Sequence, residues 1–293
     1  MKVDVILPTY NRRASLERCL AGLQAQTHKD FEVIVVDDGS RDNTENFIRS
    51  QKSDLRLHYI RQENKGPAMA RNVGIKNATA DYVAFIDDDC IPEKDWLEEL
   101  VKALSLNPES AGVGGFVVRQ NNDLISRYID HSGTISHRTF GETVIILITC
   151  NAIFKRSILE KEGGFNDALR HAEDAEMSLR LVRKGYRFAL APLAIVKHDH
   201  PRTLRAIYKM YVCYGNGITT MVSREKDSKP LGKPFYLLLK DLLFVPHIYM
   251  GSVKRNFRVS IKDKIAFFFL ERVRLWGHYK GTTSKPATHT SRR

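Results

Sequence analysis

Three carboxylates in a row, Asp87-Asp88-Asp89, follow the apolar run Tyr82-Val83-Ala84-Phe85-Ile86. Buried together without compensation they would repel one another, so a cation or solvent must face them. A divalent ion bridging a diphosphate meets that need. Mg2+ and Mn2+ prefer oxygen ligands and take one or two carboxylates plus phosphate oxygens, which an Asp-x-Asp at a strand end supplies. The bland alternative is a solvated acidic turn running into a helix start at Pro92-Glu93-Lys94-Asp95. A second acidic cluster, Glu173-Asp174-Ala175-Glu176, opens a helix-like segment. Carboxylates there either serve as a general base or simply complement the positive helix N-terminus. Farther on, His198-Asp199-His200 follows the apolar run from Ala189 to Val196. An imidazole is an ordinary ligand for Mn2+ and less so for Mg2+.

The elements that must position these groups are legible from periodicity. Apolar runs rich in Val and Ile alternate with helix-length amphipathic segments through the first half, the pattern of βαβ units and a largely parallel sheet. Strands are expected at Val3–Pro8, Phe31–Asp37, Leu55–Arg61 and Tyr82–Asp87, and helices at Ser15–Gln26, Asn43–Lys52 and Pro67–Asn77, with Asp42 and Gly66 near helix starts as cap or turn residues. Three strands end in polar clusters, Pro8-Thr9-Tyr10-Asn11, Asp37-Asp38-Gly39-Ser40 and Asp87-Asp88-Asp89, and ligands bind at that edge of open α/β sheets. From about Val113 to Asp199 the pattern changes to Gly114-Gly115, a strand-like Thr143–Thr149 run, Gly163-Gly164-Phe165 and a helix over Glu173–Lys184 closed by Gly185.

The order of these motifs resembles glycosyltransferase family 2, whose members open with an apolar strand and a Pro-Thr/Ser-Tyr-Asn turn. This chain has Pro8-Thr9-Tyr10-Asn11, Val36-Asp37-Asp38-Gly39-Ser40, Ala70-Arg71-Asn72-Val73-Gly74 and the acidic triplet in the family's order. Asn151 through Phe154, Gly163-Gly164-Phe165, Glu173 through Glu176 and Arg180 continue it, so the resemblance covers roughly residues 3–200. It implies a GT-A fold, a Rossmann-like, mostly parallel mixed sheet flanked by helices, and an inverting transfer of sugar from a nucleoside diphosphate, with uracil the indicated base and guanine or thymine the alternatives. Pro8, Tyr10 and Asp38 would line the nucleoside pocket, Tyr10 packing on the base and Asp38 accepting a hydrogen bond from it. Arg71 would hold the base or the diphosphate, since its planar cationic fork suits phosphate; otherwise it is a surface helix arginine. Asp87 and Asp89 match the two metal carboxylates and Asp88 the variable middle position. Cys90 stands where many relatives carry another polar residue. Asp174 stands at the position of the catalytic base, and a base opposite the leaving group means inversion. Relatives often carry a histidine near the metal or diphosphate at the 198–200 segment, and His198 is favoured over His200.

Composition narrows the setting. The 293 residues, 43% hydrophobic and 27% charged, exclude a disordered chain. The net charge of +12 lies entirely in the last third, where 19 Lys+Arg stand against 5 Asp+Glu from Pro201 onward. Cys19, Cys90, Cys150 and Cys213 form no Cys-x-x-Cys pair, so neither a zinc site nor a disulfide framework is indicated and a reduced cytoplasmic setting is the default. The N-terminus enters a strand without a signal-peptide pattern, and charges interrupt every long apolar stretch, so no membrane span is expected. Residues 201–280 combine Lys and Arg with large aromatics such as Phe235-Tyr236, Phe267-Phe268-Phe269 and Trp276. That composition suits a helical extension lying peripherally on an anionic inner membrane face, an acceptor channel, or plain helix packing. No nucleic-acid module appears, and nothing indicates an oligomeric state. The expected organisation is residues 1–110 for the nucleotide-sugar half, 111–200 for the acceptor and catalytic-base half, 201–280 for the basic extension and 281–293 for a disordered tail. The acceptor is expected to be a saccharide or lipid-linked. Rival readings are a sugar nucleotidyltransferase, which would normally carry a Gly-rich basic loop where Pro8-Thr9-Tyr10-Asn11 stands, and a non-catalytic nucleotide-sugar-binding or membrane-scaffold protein.

Overall fold

A computed structural model describes residues 1–51, 54–225 and 261–283, which fall into two compact units, Met1–Asn121 with Gly133–His200 and Asn122–Ser132 with Pro201–Arg293. The first unit is built on an eight-stranded sheet in the order β3-β2-β1-β4-β9-β6-β10-β5. Its strands are β1 (Val3–Thr9), β2 (Phe31–Asp37), β3 (Leu57–Arg61), β4 (Tyr82–Phe85), β5 (Cys90–Pro92), β6 (Ser110–Arg119), β9 (Ala152–Lys155) and β10 (Arg187–His198). The first four pair in parallel, as does β6 with β10, while β9 is antiparallel to both its neighbours and β5 to β10. A separate hairpin pairs β7 (Arg138–Phe140) with β8 (Thr143–Ile146). The architecture is the mixed, mostly parallel α/β sheet expected.

The apolar run of β1 is buried on both faces because helices cover both sides, as a central parallel strand requires. On α1 (Arg13–Gln24), Leu16, Cys19, Leu20 and Leu23 recur at helical spacing and face the core. The other helices of this unit are α2 (Thr44–Ser50), α3 (Pro67–Asn77), α4 (Trp96–Leu106), α6 (Arg156–Lys161) and α7 (Glu173–Arg183). Buried Asp4 in β1 accepts the backbone N–H groups of Thr79 and Ala80 at 2.6 and 2.8 Å, fixing the turn that feeds β4.

Several boundaries differ from the sequence expectation for identifiable reasons. Helix α1 starts at Arg13, not Ser15, because Asp42 accepts the Arg13 N–H at 2.9 Å; the cap comes from a loop 29 residues away. Asp42 thus caps α1, while Asn43, in the left-handed region at φ 67, precedes α2. Strand β4 stops at Phe85, since Cys90 N–H donates to the Asp87 carbonyl and turns the chain into β5. The acidic triplet is therefore the turn between two strands, and the helix expected at Pro92 begins at Trp96. The run from Thr143 leaves the strand after Ile146 and closes in a 3-10 turn over Thr149–Asn151. Strand β10 extends past Val196 to His198, and its bulge between Leu190 and Ile195 lets the Ala194 carbonyl stand where a Cβ on Gly115 would lie at 2.2 Å.

The second unit contains α5 (Leu124–Ser132), α8 (Leu204–Glu225) and α9 (Ile261–Thr283). Asp123 caps α5 through the N–H groups of Ile125 and Ser126, Arg127 pairs with Asp263 at 2.8 Å, and Tyr128 donates to Glu271. Gly281, expected to open a disordered tail, belongs to the last turn of α9; the tail from 284 onward and the Phe235-Tyr236 cluster lie outside the described residues. Among the described residues, no helix is long and apolar enough to cross a membrane.

Candidate active site

The polar ends of β1, β2, β4 and β10 and the start of α7 meet within the first unit. Asn11 makes the first turn in the left-handed region, φ 52, which Asn tolerates better than most residues. Its N–H donates to Ser40 Oγ at 2.9 Å and its Oδ1 accepts the Arg41 N–H at 2.7 Å, lacing the loop after β1 to the loop after β2. Tyr10 beside it is 45% exposed, so it is no core aromatic. Its ring is open to a planar ligand, and Pro8 is half-buried next to it.

The two aspartates after β2 hold loops. Asp37 accepts the Ser40 N–H and the Tyr59 hydroxyl, each at 2.7 Å. Asp38 accepts Gln62 Nε2 and the Lys65 N–H on one oxygen and the Gly66 N–H on the other, at 2.6, 2.8 and 2.9 Å. It thereby fixes the approach to α3.

Arg71 on α3 is buried, at 4% exposure, and is not the surface arginine of the alternative reading. Its Nη2 donates to Asp87 Oδ1 at 2.7 Å and its Nη1 to Glu173 Oε1 at 2.6 Å, with the guanidinium 5.8 Å from the centre of the Phe165 ring. One side chain therefore joins the acidic turn to the start of α7. The next residue, Asn72, receives the Phe165 N–H at 2.8 Å and donates to its carbonyl at 2.7 Å. A Cβ on Gly164, which has φ +63, would stand 2.5 Å from Asn72 Oδ1. Arg180 also donates to the carbonyls of Glu162 and Gly164. The Gly163-Gly164-Phe165 segment is thus the clamp between α3 and α7.

The triplet divides its labour. Asp88 is buried, accepts Thr9 Oγ1 at 2.8 Å and lies 3.2 Å from Arg12 Nη1. Burial, with repulsion from Asp89, pushes its carboxyl up to about 7 against the pull of Arg12. Asp89 Oδ2 accepts the same Arg12 nitrogen at 2.5 Å. Burial opposes its charge, but His198 and Arg12 outweigh burial and hold it below the usual carboxylate range. Asp89 Oδ1 is buried without a hydrogen-bond partner and lies 3.6 Å from His198 Nε2, too far for a hydrogen bond. His200 stands behind, its Nδ1 3.0 Å from His198 Nδ1. A proton shared between those two nitrogens leaves the His198 Nε2 lone pair facing Asp89 when the proton rests on His198, and burial, against the pull of Asp89, lowers the basicity of that imidazole. An orphaned carboxylate oxygen opposite an imidazole nitrogen is a donor set that fits a divalent cation. Asp87, expected to share that ion, gives its Oδ1 to Arg71 Nη2.

At the start of α7, Asp174 Oδ1 accepts the Ala175 N–H at 2.7 Å. Burial first, then the charge of Glu173, pushes its carboxyl up to about 7, against the pull of Arg71. A carboxyl so placed exchanges protons near neutrality, as a general base must.

Sequence reasoning missed Arg12, Thr9 and Glu173 as site residues. Arg12 follows the Pro8–Asn11 turn, and a cation three to four residues beyond a strand end, opposite an acidic turn, is the sign the sequence offers. Asn151 proves architectural: Trp96 donates to its Oδ1 at 2.8 Å, and its Nδ2 reaches the carbonyls of Phe116 and Ala194 at 2.9 Å.

The model of the family described as Glycosyl transferase family 2 matches residues 4–163, more than half of the chain. A pre-mycofactocin glycosyltransferase of Mycobacterium tuberculosis (strain ATCC 25618 / H37Rv) is 30% identical over 239 residues, covering 77% of this chain and 48% of that protein. The chain therefore spans about half the length of this curated relative. Among solved structures, a mannosyltransferase from Pyrobaculum calidifontis in complex with GDP-Man and Mn2+ is similar with a TM-score of 0.67 and 23% identity, over 96% of this chain and 84% of that one. Staphylococcus aureus TarS 1–349 in complex with UDP-GlcNAc gives a TM-score of 0.59 and 17% identity, over 96% and 90%. At these identities the two structures speak for the fold.

Proposed function

This chain belongs to glycosyl transferase family 2, and from that premise we propose that it moves a sugar from a nucleoside diphosphate to a saccharide or lipid-linked acceptor, with inversion, assisted by Mn2+ or Mg2+. The observation that carries the proposal is the double ion pair of Arg71, which fastens Asp87 of the acidic turn to Glu173, the neighbour of Asp174. Metal-side carboxylates and a proton acceptor are thereby held as one unit, and transfer needs both.

In this reading Asp89 and His198, with Asp87, hold the ion. When bound, the ion supplies Lewis-acid neutralisation of the charge that builds on the departing diphosphate. Tyr10 stacks on the nucleoside base beside Pro8, and Asp38 shapes the pocket floor through the loop it fixes while offering its remaining lone pairs to the base. Arg12 and Arg71 balance the acidic cluster, so that it stays assembled without collapsing or repelling. Asp174 takes the proton of the acceptor hydroxyl as the anomeric carbon becomes cationic, and attack from the side opposite the leaving group inverts that carbon.

The donor is proposed to be a UDP-sugar. One structural neighbour was solved with GDP-Man and another with UDP-GlcNAc, so the base is decided by a thermal-shift panel of UDP-, GDP- and dTDP-sugars with Mn2+, in which the true donor stabilises the fold by mass action. Anomeric configuration of the product, read by NMR, tests inversion; a retained configuration would refute it.

A peripheral position on an anionic membrane, in the cytoplasm, is proposed for the second unit. Phe269, Trp276 and Tyr279 are exposed along α9, seven and three residues apart, and Lys280 lies 5.0 Å from the Trp276 ring centre. Aromatic and cationic groups at helical spacing support interfacial contact. Flotation with phosphatidylglycerol vesicles tests it, and equal flotation of a Trp276→Ala, Tyr279→Ala variant would contradict it.

A further inference from the structure

The residue after the acidic triplet is a cysteine, and its strand partner is the histidine of the site. In the antiparallel pairing of β5 with β10, Cys90 stands directly opposite His198. A thiol, an imidazole nitrogen and a carboxylate oxygen from Cys90, His198 and Asp89 all lie within 4.8 Å of one another. Cys90 and His198 are buried, and Asp89 Oδ1 has no hydrogen-bond partner. Among the described residues this is the one group of three potential ligands so closely gathered.

The donor set differs in kind from an oxygen site. Hard ions such as Mg2+ and Mn2+ gain little from sulfur, whereas Zn2+ takes Cys, His and Asp together, with bonds of roughly 2.0–2.3 Å. Three ligands converging within a few ångströms suit a tetrahedral ion and leave it one open position. An ion that must also chelate a diphosphate needs at least two.

We propose that Asp89, Cys90 and His198 form a Zn2+ site, in which zinc bound through the Cys90 thiolate displaces the activating ion and holds the enzyme inactive. On binding, the sulfur–zinc bond forms, the thiol proton passes to solvent, and no redox change occurs. The proposal deepens the metal reading of the same carboxylate and rests on it through Asp89 and His198. Cys90 is what it adds. Zinc outcompetes manganese at most nitrogen and oxygen sites, so the test must isolate the sulfur.

The experiment uses the full chain with no donor present. Co2+, which reports sulfur ligation by a thiolate-to-metal charge-transfer band in the near ultraviolet, is titrated into the wild type, Cys90→Ser and Cys150→Ser. In parallel, Mn2+ bound to each protein is followed by electron paramagnetic resonance while Zn2+ is added. The expected result is a charge-transfer band in the wild type and in Cys150→Ser, absent in Cys90→Ser. Stoichiometric Zn2+ should release Mn2+ from the wild type, while Cys90→Ser should need about a hundredfold more. Absence of the band in the folded wild type overturns the zinc site whatever the variants do. Mn2+ bound normally and released equally by Zn2+ in wild type and Cys90→Ser likewise overturns it, leaving the oxygen–imidazole metal reading intact. Failure of all three proteins to bind Mn2+, with the cobalt band present, instead removes the activating-ion reading and keeps the zinc site.

Discussion

Arg71 Nη1 lies 2.6 Å from Glu173 Oε1, while the other terminal nitrogen of the same guanidinium lies 2.7 Å from Asp87. A helix between β2 and β4 is thereby tied to a helix a hundred residues on, through a buried Arg71–Glu173 pair and a partly exposed Asp87. Removing one partner of such a buried pair strands the others.

Arg71→Ala should therefore destabilise the fold by about 3–5 kcal/mol, the usual cost of an uncompensated buried ion pair. Urea denaturation measures it. Because both Asp87 and Glu173 lose their anchor, transfer should fall at least as steeply as stability. A variant as stable as the wild type would contradict the role given to the tie.

The pH dependence follows from Asp174. Its carboxyl is pushed up to about 7 by burial and by Glu173. A base acts only when deprotonated, so kcat/KM should fall about tenfold per unit as pH drops below 7. The profile of wild-type transfer from pH 5 to 8.5 checks this; a flat profile down to pH 5 would contradict it.

The same shift has a consequence for stability with the opposite sense. A carboxyl whose native value exceeds its unfolded value near 3.9 binds its proton more tightly when folded. Its contribution is greatest below pH 4, declines between about 4 and 7, and is absent above. Asp174→Asn removes that decline, so at pH 8 the variant should melt a few degrees above the wild type, at about 2–4 °C per kcal/mol. Melting curves at pH 5 and pH 8 test the crossover.

Arg12 is the cation that faces Asp88 and Asp89 in the protein by itself. Arg12→Ala should lower the melting temperature without divalent ions and enlarge the rise produced by Mn2+, because the ion then relieves a repulsion Arg12 had relieved. Identical Mn2+ shifts in both proteins would show that Arg12 plays no such part.

Much of this could be read in the sequence, and what could not was non-local. Strands β1 and β2 and helix α3 announce themselves through continuous apolar runs and Pro67 after Gly66, and the structure gives them nearly the expected bounds. The start of α1 could not be read, because Asp42 caps it from another loop. The turn at Asp87 reads as strand in the sequence because its closing bond, from the Cys90 N–H to the Asp87 carbonyl, leaves no mark on residue type. Motif order points to Asp87, Asp89, Asp174 and His198. Their partners Arg12, Glu173 and Cys90 needed three dimensions, since pairing across 77 or 102 residues is invisible to spacing.

The most direct test of the account is Asp174→Asn in a transfer assay paired with donor binding. The account predicts that nucleotide-sugar affinity with Mn2+ stays within a few-fold of the wild type while transfer falls by three orders of magnitude or more, roughly the share a general base supplies. Undiminished transfer by Asp174→Asn would contradict it.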